Sequence, residues 1–102
     1  MHLNIADAVE LAKNVAAAAE QSDRDVMIAP AFTALSAVAK ALKGSRLFLG
    51  AQNVAWEAEG AFTGEIAPPM LTDIGVRMVI IGYSEWRYIF LEDDYHNRER
   101  IL

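Results

Sequence analysis

Apolar residues return every three or four positions near the start of the chain. Ile5, Val9, Ala12 and Ala16 mark one stripe, and Leu11 and Val15 widen it. That spacing predicts an amphipathic helix. Asn4 is placed to cap it, and Asp7 favours its positive end. The alanines of 16–19 prolong the helix to about Glu20, and the polar stretch 21–24 turns the chain. Residues 25–29 then read as a short apolar strand, stopped by Pro30, which has no N–H to give to a ladder.

The alternation repeats. Thr33 is a candidate cap for a second helix whose stripe is Leu35, Val38, Ala39 and Leu42, with Gly44 placed to end it in the left-handed conformation. Residues 47–51 form a second apolar strand, ending at Gln52 and Asn53. The stretch 54–66 is long for a connection, with Gly60 and Gly64 as breakers, and loops of that length usually carry function or contacts. Pro68 and Pro69 suit the start of a third, short helix reaching Ile74, and Gly75 ends it. A third strand follows over 76–81. One helical turn over 86–90 and a last helix capped by Asp94 complete the chain, which stops abruptly at Leu102.

Strands alternating with helices imply right-handed crossovers and a parallel sheet. The fold class is therefore α/β: three parallel strands and four helices in the order αβαβαβα, in a single domain over 1–102. Three parallel strands leave two open edges, which invite pairing with another chain. The opening helix has no strand before it, so the chain looks cut from something larger. The stretch Val76-Arg77-Met78-Val79-Ile80-Ile81-Gly82-Tyr83-Ser84-Glu85 is its organising feature. Its apolar run hardly alternates, which predicts a strand buried on both faces. Chemistry in such sheets collects at strand ends, where Tyr83, Ser84 and Glu85 stand.

Composition narrows the function. The chain has 102 residues, 54% of them hydrophobic, enough for one packed domain and against disorder. The net charge of -5 gives no basic footprint for nucleic acid and no cationic face for anionic lipid. Cysteine is absent, which removes disulfides, thiolate metal sites and thiol nucleophiles and suits a cytoplasmic protein. No apolar run is long enough to span a bilayer, and the first residues lack a signal peptide's basic start and apolar core. His2 and His96 lack metal-ligand spacing, and no cofactor is expected.

Four motifs carry a resemblance. Ala29-Pro30-Ala31-Phe32-Thr33-Ala34-Leu35, Gly50-Ala51-Gln52-Asn53-Val54, Glu59-Gly60-Ala61-Phe62-Thr63-Gly64-Glu65-Ile66 and Val79-Ile80-Ile81-Gly82-Tyr83-Ser84-Glu85 resemble triosephosphate isomerase in that family's order and spacing. The resemblance implies a partial (β/α)8 barrel, from roughly the first barrel helix to the fourth. The family's catalytic lysine falls before the position matching Met1, and its catalytic glutamate, lid and phosphate-binding loops fall beyond Leu102. Its electrophilic histidine falls at Tyr83. This enzyme is a standard example of a neutral imidazole polarising a carbonyl while a glutamate moves the proton. A phenol donates one hydrogen bond but is no proton shuttle at neutral pH. Ser84 and Glu85 match the family's Ser-Glu pair, with Glu85 separated from its usual lysine partner.

The departures gather on one rim. Trp86 replaces the first of two arginines, Tyr88, Ile89 and Leu91 replace more polar or smaller residues, Tyr95-His96-Asn97 fits the next helix poorly, and Ala55 and Ala58 are small. Such clustering reads as redesign or as selection for a new contact. Tyr83 is then a surrogate electrophile or, as preferred here, a space-filling or stacking group. Glu85 is a general base or, as preferred, a buried or semi-buried structural carboxylate bonded to backbone or Arg87. Trp86, Tyr88, Ile89 and Phe90, with Tyr95 beyond them, are either an interface or a cover for a small core. In the family, the 54–66 loop enters the neighbouring subunit. Phe62, Thr63 and Gly64 are therefore expected at a contact, and Asn53 in a dimer-contact or scaffold role.

Three functions follow from this reading. The preferred one is self-assembly of a barrel fragment, most simply as a dimer, without turnover and without triose phosphate binding by the isolated chain. The second is an incomplete isomerase, interconverting dihydroxyacetone phosphate and glyceraldehyde 3-phosphate in glycolysis once the missing strands are supplied. The third is an engineered binding module that uses the 86–96 rim.

Overall fold

The computed structural model describes residues 1–85 and 98–100. Asn4 opens the first helix, α1 (Ile5–Ala19), by accepting a 2.9 Å hydrogen bond from the Asp7 amide through Oδ1. Strand β1 (Met27–Ile28) leads through Pro30 into α2 (Phe32–Ala41), and β2 (Phe48–Ala51) follows. After the long loop come α3 (Pro68–Asp73) and β3 (Met78–Val79). The chain is helical again at 84–85 and at 98–100, where the fourth expected helix falls.

The three strands form one parallel sheet in the order β1-β2-β3. Met27 pairs with Phe48 and Ile28 with Leu49 on one side of β2, and Gly50 pairs with Met78 and Ala51 with Val79 on the other. Strand β2 is therefore central, and Leu49, Gly50 and Ala51 are buried. Gly50 is needed for space: a Cβ there would lie 2.5 Å from the Met27 Sδ that crosses it. Helices α1 and α2 pack together and share one core cluster with the sheet. Ala8, Ala12, Ala34, Leu35 and Val38 belong to it, and the alanines let the two helix backbones come close.

Two expectations are corrected. Strand β3 is not buried on both faces: Met78 is 43% exposed, Val79 to Ile81 are partly covered, and only Val76 at the strand's entrance is buried. The reason is position, because among the described residues β3 is an outer strand with a partner on the β2 side alone. Thr33 is not a cap. The helix starts two residues earlier than a Thr33 cap would place it, after Ala31, whose side chain cannot cap, and Thr33 lies inside the first turn. Only Ala29, Pro30 and Ala31 separate β1 from α2, so the helix is already under way at Phe32.

The other turn signals act as their chemistry predicts. Pro68 and Pro69 occupy the first positions of α3, where their missing N–H groups cost nothing. Gly75 takes φ +89° beyond its end, and the Val76 amide returns to the Leu71 carbonyl at 3.0 Å.

Candidate functional site

Parallel strands send all their C-terminal ends to one rim. Here that rim collects Ala29 and Pro30 after β1, Gln52 and Asn53 after β2, and Gly82 and Tyr83 after β3. Gln52 ties two of these exits together, its Nε2 donating to the Ala29 carbonyl at 2.9 Å. An apolar groove of about 310 Å³ opens beside them, between His2 and Leu3 on one side and Ile28, Pro30 and Gln52 on the other. A second, of about 230 Å³, lies between Phe32, Asn53 and the Gly64 end of the long loop.

Gly82 turns at φ +82° and delivers Tyr83 to the rim. The phenol is partly covered, and its pKa is raised above the ordinary 10.0, first by burial and then by the Glu85 carboxylate. Tyr83 therefore stays protonated at neutral pH: a donor, with no proton to exchange as an imidazole would. Ser84 and Glu85 begin a helical turn, and the Ser84 hydroxyl lies 3.4 Å from Glu85 Oε2. Glu85 is exposed, which corrects the buried or semi-buried carboxylate expected for it. It stands past the end of an outer strand, so no described element covers it.

The 54–66 loop is the second group. Its base is closed by the Ala55 amide donating to the Ile66 carbonyl at 2.8 Å. Gly60 and Gly64 take φ +143° and +95°, conformations that L side chains rarely adopt. Phe62, Thr63 and Gly64 are exposed. Phe62 nonetheless has a neighbour, its ring meeting Trp56 edge-on at 5.6 Å and 64°. The Arg100 guanidinium lies over Trp56 at 5.8 Å, while its Nε donates to the Val54 carbonyl at 2.7 Å.

Sequence reasoning assigned no role to Gln52, Trp56 or Arg100. An aromatic residue six positions before Phe62 in a glycine-broken loop was the available signal for Trp56. Arg100 gave none, since its contact spans 46 residues of sequence. Trp86, Tyr88, Ile89, Tyr95 and His96 lie outside the described residues. The structure thus brings Tyr83 and Glu85 together on one turn, and Phe62, Thr63 and Gly64 on one loop, with both groups on the strand-end rim.

Three parallel strands joined by helices, with the chemistry-bearing loops at one end, define a segment of an α/β barrel. The family model described as triosephosphate isomerase matches residues 1–101. Triosephosphate isomerase of Chloroflexus aurantiacus is 52% identical over 95 residues, which are 92% of this chain and 38% of that protein. The enzyme of Caldanaerobacter subterraneus subsp. tengcongensis is 41% identical over 102 residues, covering 100% of this chain and 41% of its own length. The crystal structure of triosephosphate isomerase from Bartonella henselae superimposes with a TM-score of 0.86 at 29% identity, covering 99% of this chain and 42% of that one. The chain belongs to the triosephosphate isomerase family, and its fold is a partial (β/α)8 barrel. It spans well under half of the relatives it matches.

Proposed function

We propose that this chain is an assembling segment of a triosephosphate isomerase barrel that pairs with a second copy and has no isomerase turnover of its own. The observation that carries the reading is the contrast between β2, buried along Leu49 to Ala51, and β3, which leaves Met78 43% exposed at the sheet's edge. A bare outer strand with apolar side chains is a template for another chain. A two-fold dimer is the simplest closed arrangement that covers it. The exposed Phe62 and Thr63 of the 54–66 loop offer a second contact. Tyr83 favours the absence of turnover, because a protonated phenol cannot relay the protons that the family's imidazole handles. The lack of cysteine in the sequence suits a reducing compartment, and this reading assigns the chain to the cytoplasm.

The test is absolute mass by light scattering after size exclusion over a range of concentrations. A dimer or larger assembly is expected, and a monomer at every concentration would sink the reading. A second reading has its own support: the chain is 52% identical to a relative named triosephosphate isomerase and keeps Ser84 and Glu85 after Gly82. It would then be an incomplete isomerase acting on triose phosphates once complemented. Supplying the remaining barrel strands separately and assaying isomerisation, with and without Tyr83→His, decides between the two. Activity restored strongly by Tyr83→His favours the incomplete enzyme.

A further inference from the structure

The 54–66 loop is held from a distance. Arg100 sits on the helical residues 98–100, yet its Nε donates to the Val54 carbonyl at 2.7 Å, where the loop leaves the sheet. Its guanidinium covers Trp56 at 5.8 Å. The indole takes the edge of Phe62 at 5.6 Å. Phe62 then closes over Gly60, where a Cβ would come within 2.7 Å of its ring. The contacts run in series: helix, loop base, first aromatic, second aromatic, glycine turn. A guanidinium is suited to the first two, because its fork presents an N–H in the plane while its face lies on an aromatic ring.

We infer that Arg100 is a positioning residue, a latch that presets the 54–66 loop by gripping Val54 and Trp56 together. Trp56 and Phe62 remain 37% and 40% exposed, so the latch orders the aromatic pair without hiding it. An ordered loop loses less entropy on contact than a loose one, which makes the preset pair the part of the loop best suited to a partner. That last consequence rests on the assembly reading; the order of the loop does not.

The experiment uses the whole chain with Trp86→Phe, so that Trp56 is its sole indole, in dilute solution. It reads acrylamide quenching of Trp56 and the rate of loop cleavage by a glutamate-specific protease, which can cut after Glu57, Glu59 and Glu65. In Arg100→Ala, cleavage is expected to rise about fivefold or more and quenching to increase, as a local opening loses one charge-assisted hydrogen bond and one cation–π contact. Trp56→Leu, read by cleavage alone, should loosen the loop similarly, and the double variant should be little worse than either single one. Additive effects would mean two independent structural losses and would overturn the latch. So would an unchanged cleavage rate in Trp56→Leu, which keeps the test open where Arg100→Ala fails to fold. Arg100→Lys keeps the charge and loses the fork, and full protection in that variant would also overturn the assignment. Light scattering of the same variants separates the two readings. A looser loop with unchanged oligomer mass leaves the latch standing and removes the loop's role in assembly.

Discussion

Tyr83 is one residue past the glycine that closes the third strand, and its environment works against ionisation. Partial burial comes first, and the neighbouring Glu85 carboxylate adds to it; both disfavour the phenolate and raise the pKa above 10.0. A group whose folded pKa lies above its unfolded value stabilises the fold fully below the unfolded pKa. The contribution is lost as pH rises through the folded pKa. The window therefore opens at about pH 10 and extends upward, the unperturbed phenol setting its lower limit. Urea midpoints measured on either side of that pH should fall more steeply for the native chain than for Tyr83→Phe. Absorbance titration of the phenolate, taken as the difference between those two proteins, should show a midpoint above 10.0 that moves back in Glu85→Gln. Equal pH slopes for the two proteins would show that Tyr83 ionises as freely folded as unfolded.

Single elements owe their limits to a few side chains. Helix α1 begins where Asn4 Oδ1 takes the Asp7 amide, satisfying one of the donors that a helix start leaves open. Asn4→Ala should lower the unfolding free energy by about 1 kcal/mol in urea melts, and Asn4→Asp should hold most of it. Further along the same helix, Ala12 is fully buried in the cluster that joins α1 to α2, together with Ala34 and Val38. Ala12→Leu should cost about 1–3 kcal/mol, because the extra methylenes have nowhere to go but between the helices. A smaller loss would mean that α1 can slide outward. The exposed stretch of α1 is expected to tolerate change, so Ala18→Leu in the same melts is the control.

At the scale of the molecule the outer edge of the described sheet dominates. Among the described residues the sheet covers β2 from both sides and leaves β3 with one neighbour. Met78 is the most telling side chain there, 43% exposed on a strand whose composition is that of a core. Natural edges are commonly protected by lysine, whose charge resists desolvation against another chain. Met78→Lys should shift dissociation of the proposed dimer to concentrations about tenfold higher, the effect of roughly 1.4 kcal/mol at an interface. The native chain's melting temperature should rise with concentration, and that of Met78→Lys should rise less. A melting temperature independent of concentration in both would place Met78 outside any interface.

Much of this was written in local chemistry. Asn4 and Asp7, and Pro68 and Gly75, act within a turn or two of themselves, so their effects are the same in the sequence and in the fold. The stripe from Ile5 to Ala16 marked the helix but not its buried face: Ile5 and Leu11 stay exposed, and Ala8, Ala12 and Ala19 are buried, because the covered side is set by where α2 packs. The four motifs that resemble triosephosphate isomerase were equally legible, because long contiguous motifs in order carry family membership without any need of coordinates. Burial of a strand is different. The run 76–81 is as apolar as a central strand, but whether such a run is covered depends on what stands beside it, and among the described residues β3 has its neighbour on one side only. Thr33 fails as a cap for a related reason: the short connection of Ala29, Pro30 and Ala31 already has the helix under way at Phe32. Gly50 has an ordinary backbone conformation, and only the Met27 side chain lying across it from the next strand explains why it carries no Cβ. Arg100 and Val54 are 46 residues apart and meet only after the helices have packed. Among the described residues the sequence by itself determined which segments are helix and strand, and it determined to which family the chain belongs, since those properties reside in short-range propensity and in contiguous motifs. The tertiary structure alone decided which strand is central, which apolar side chains stay open to solvent and which cation orders the loop, because each depends on neighbours distant along the chain.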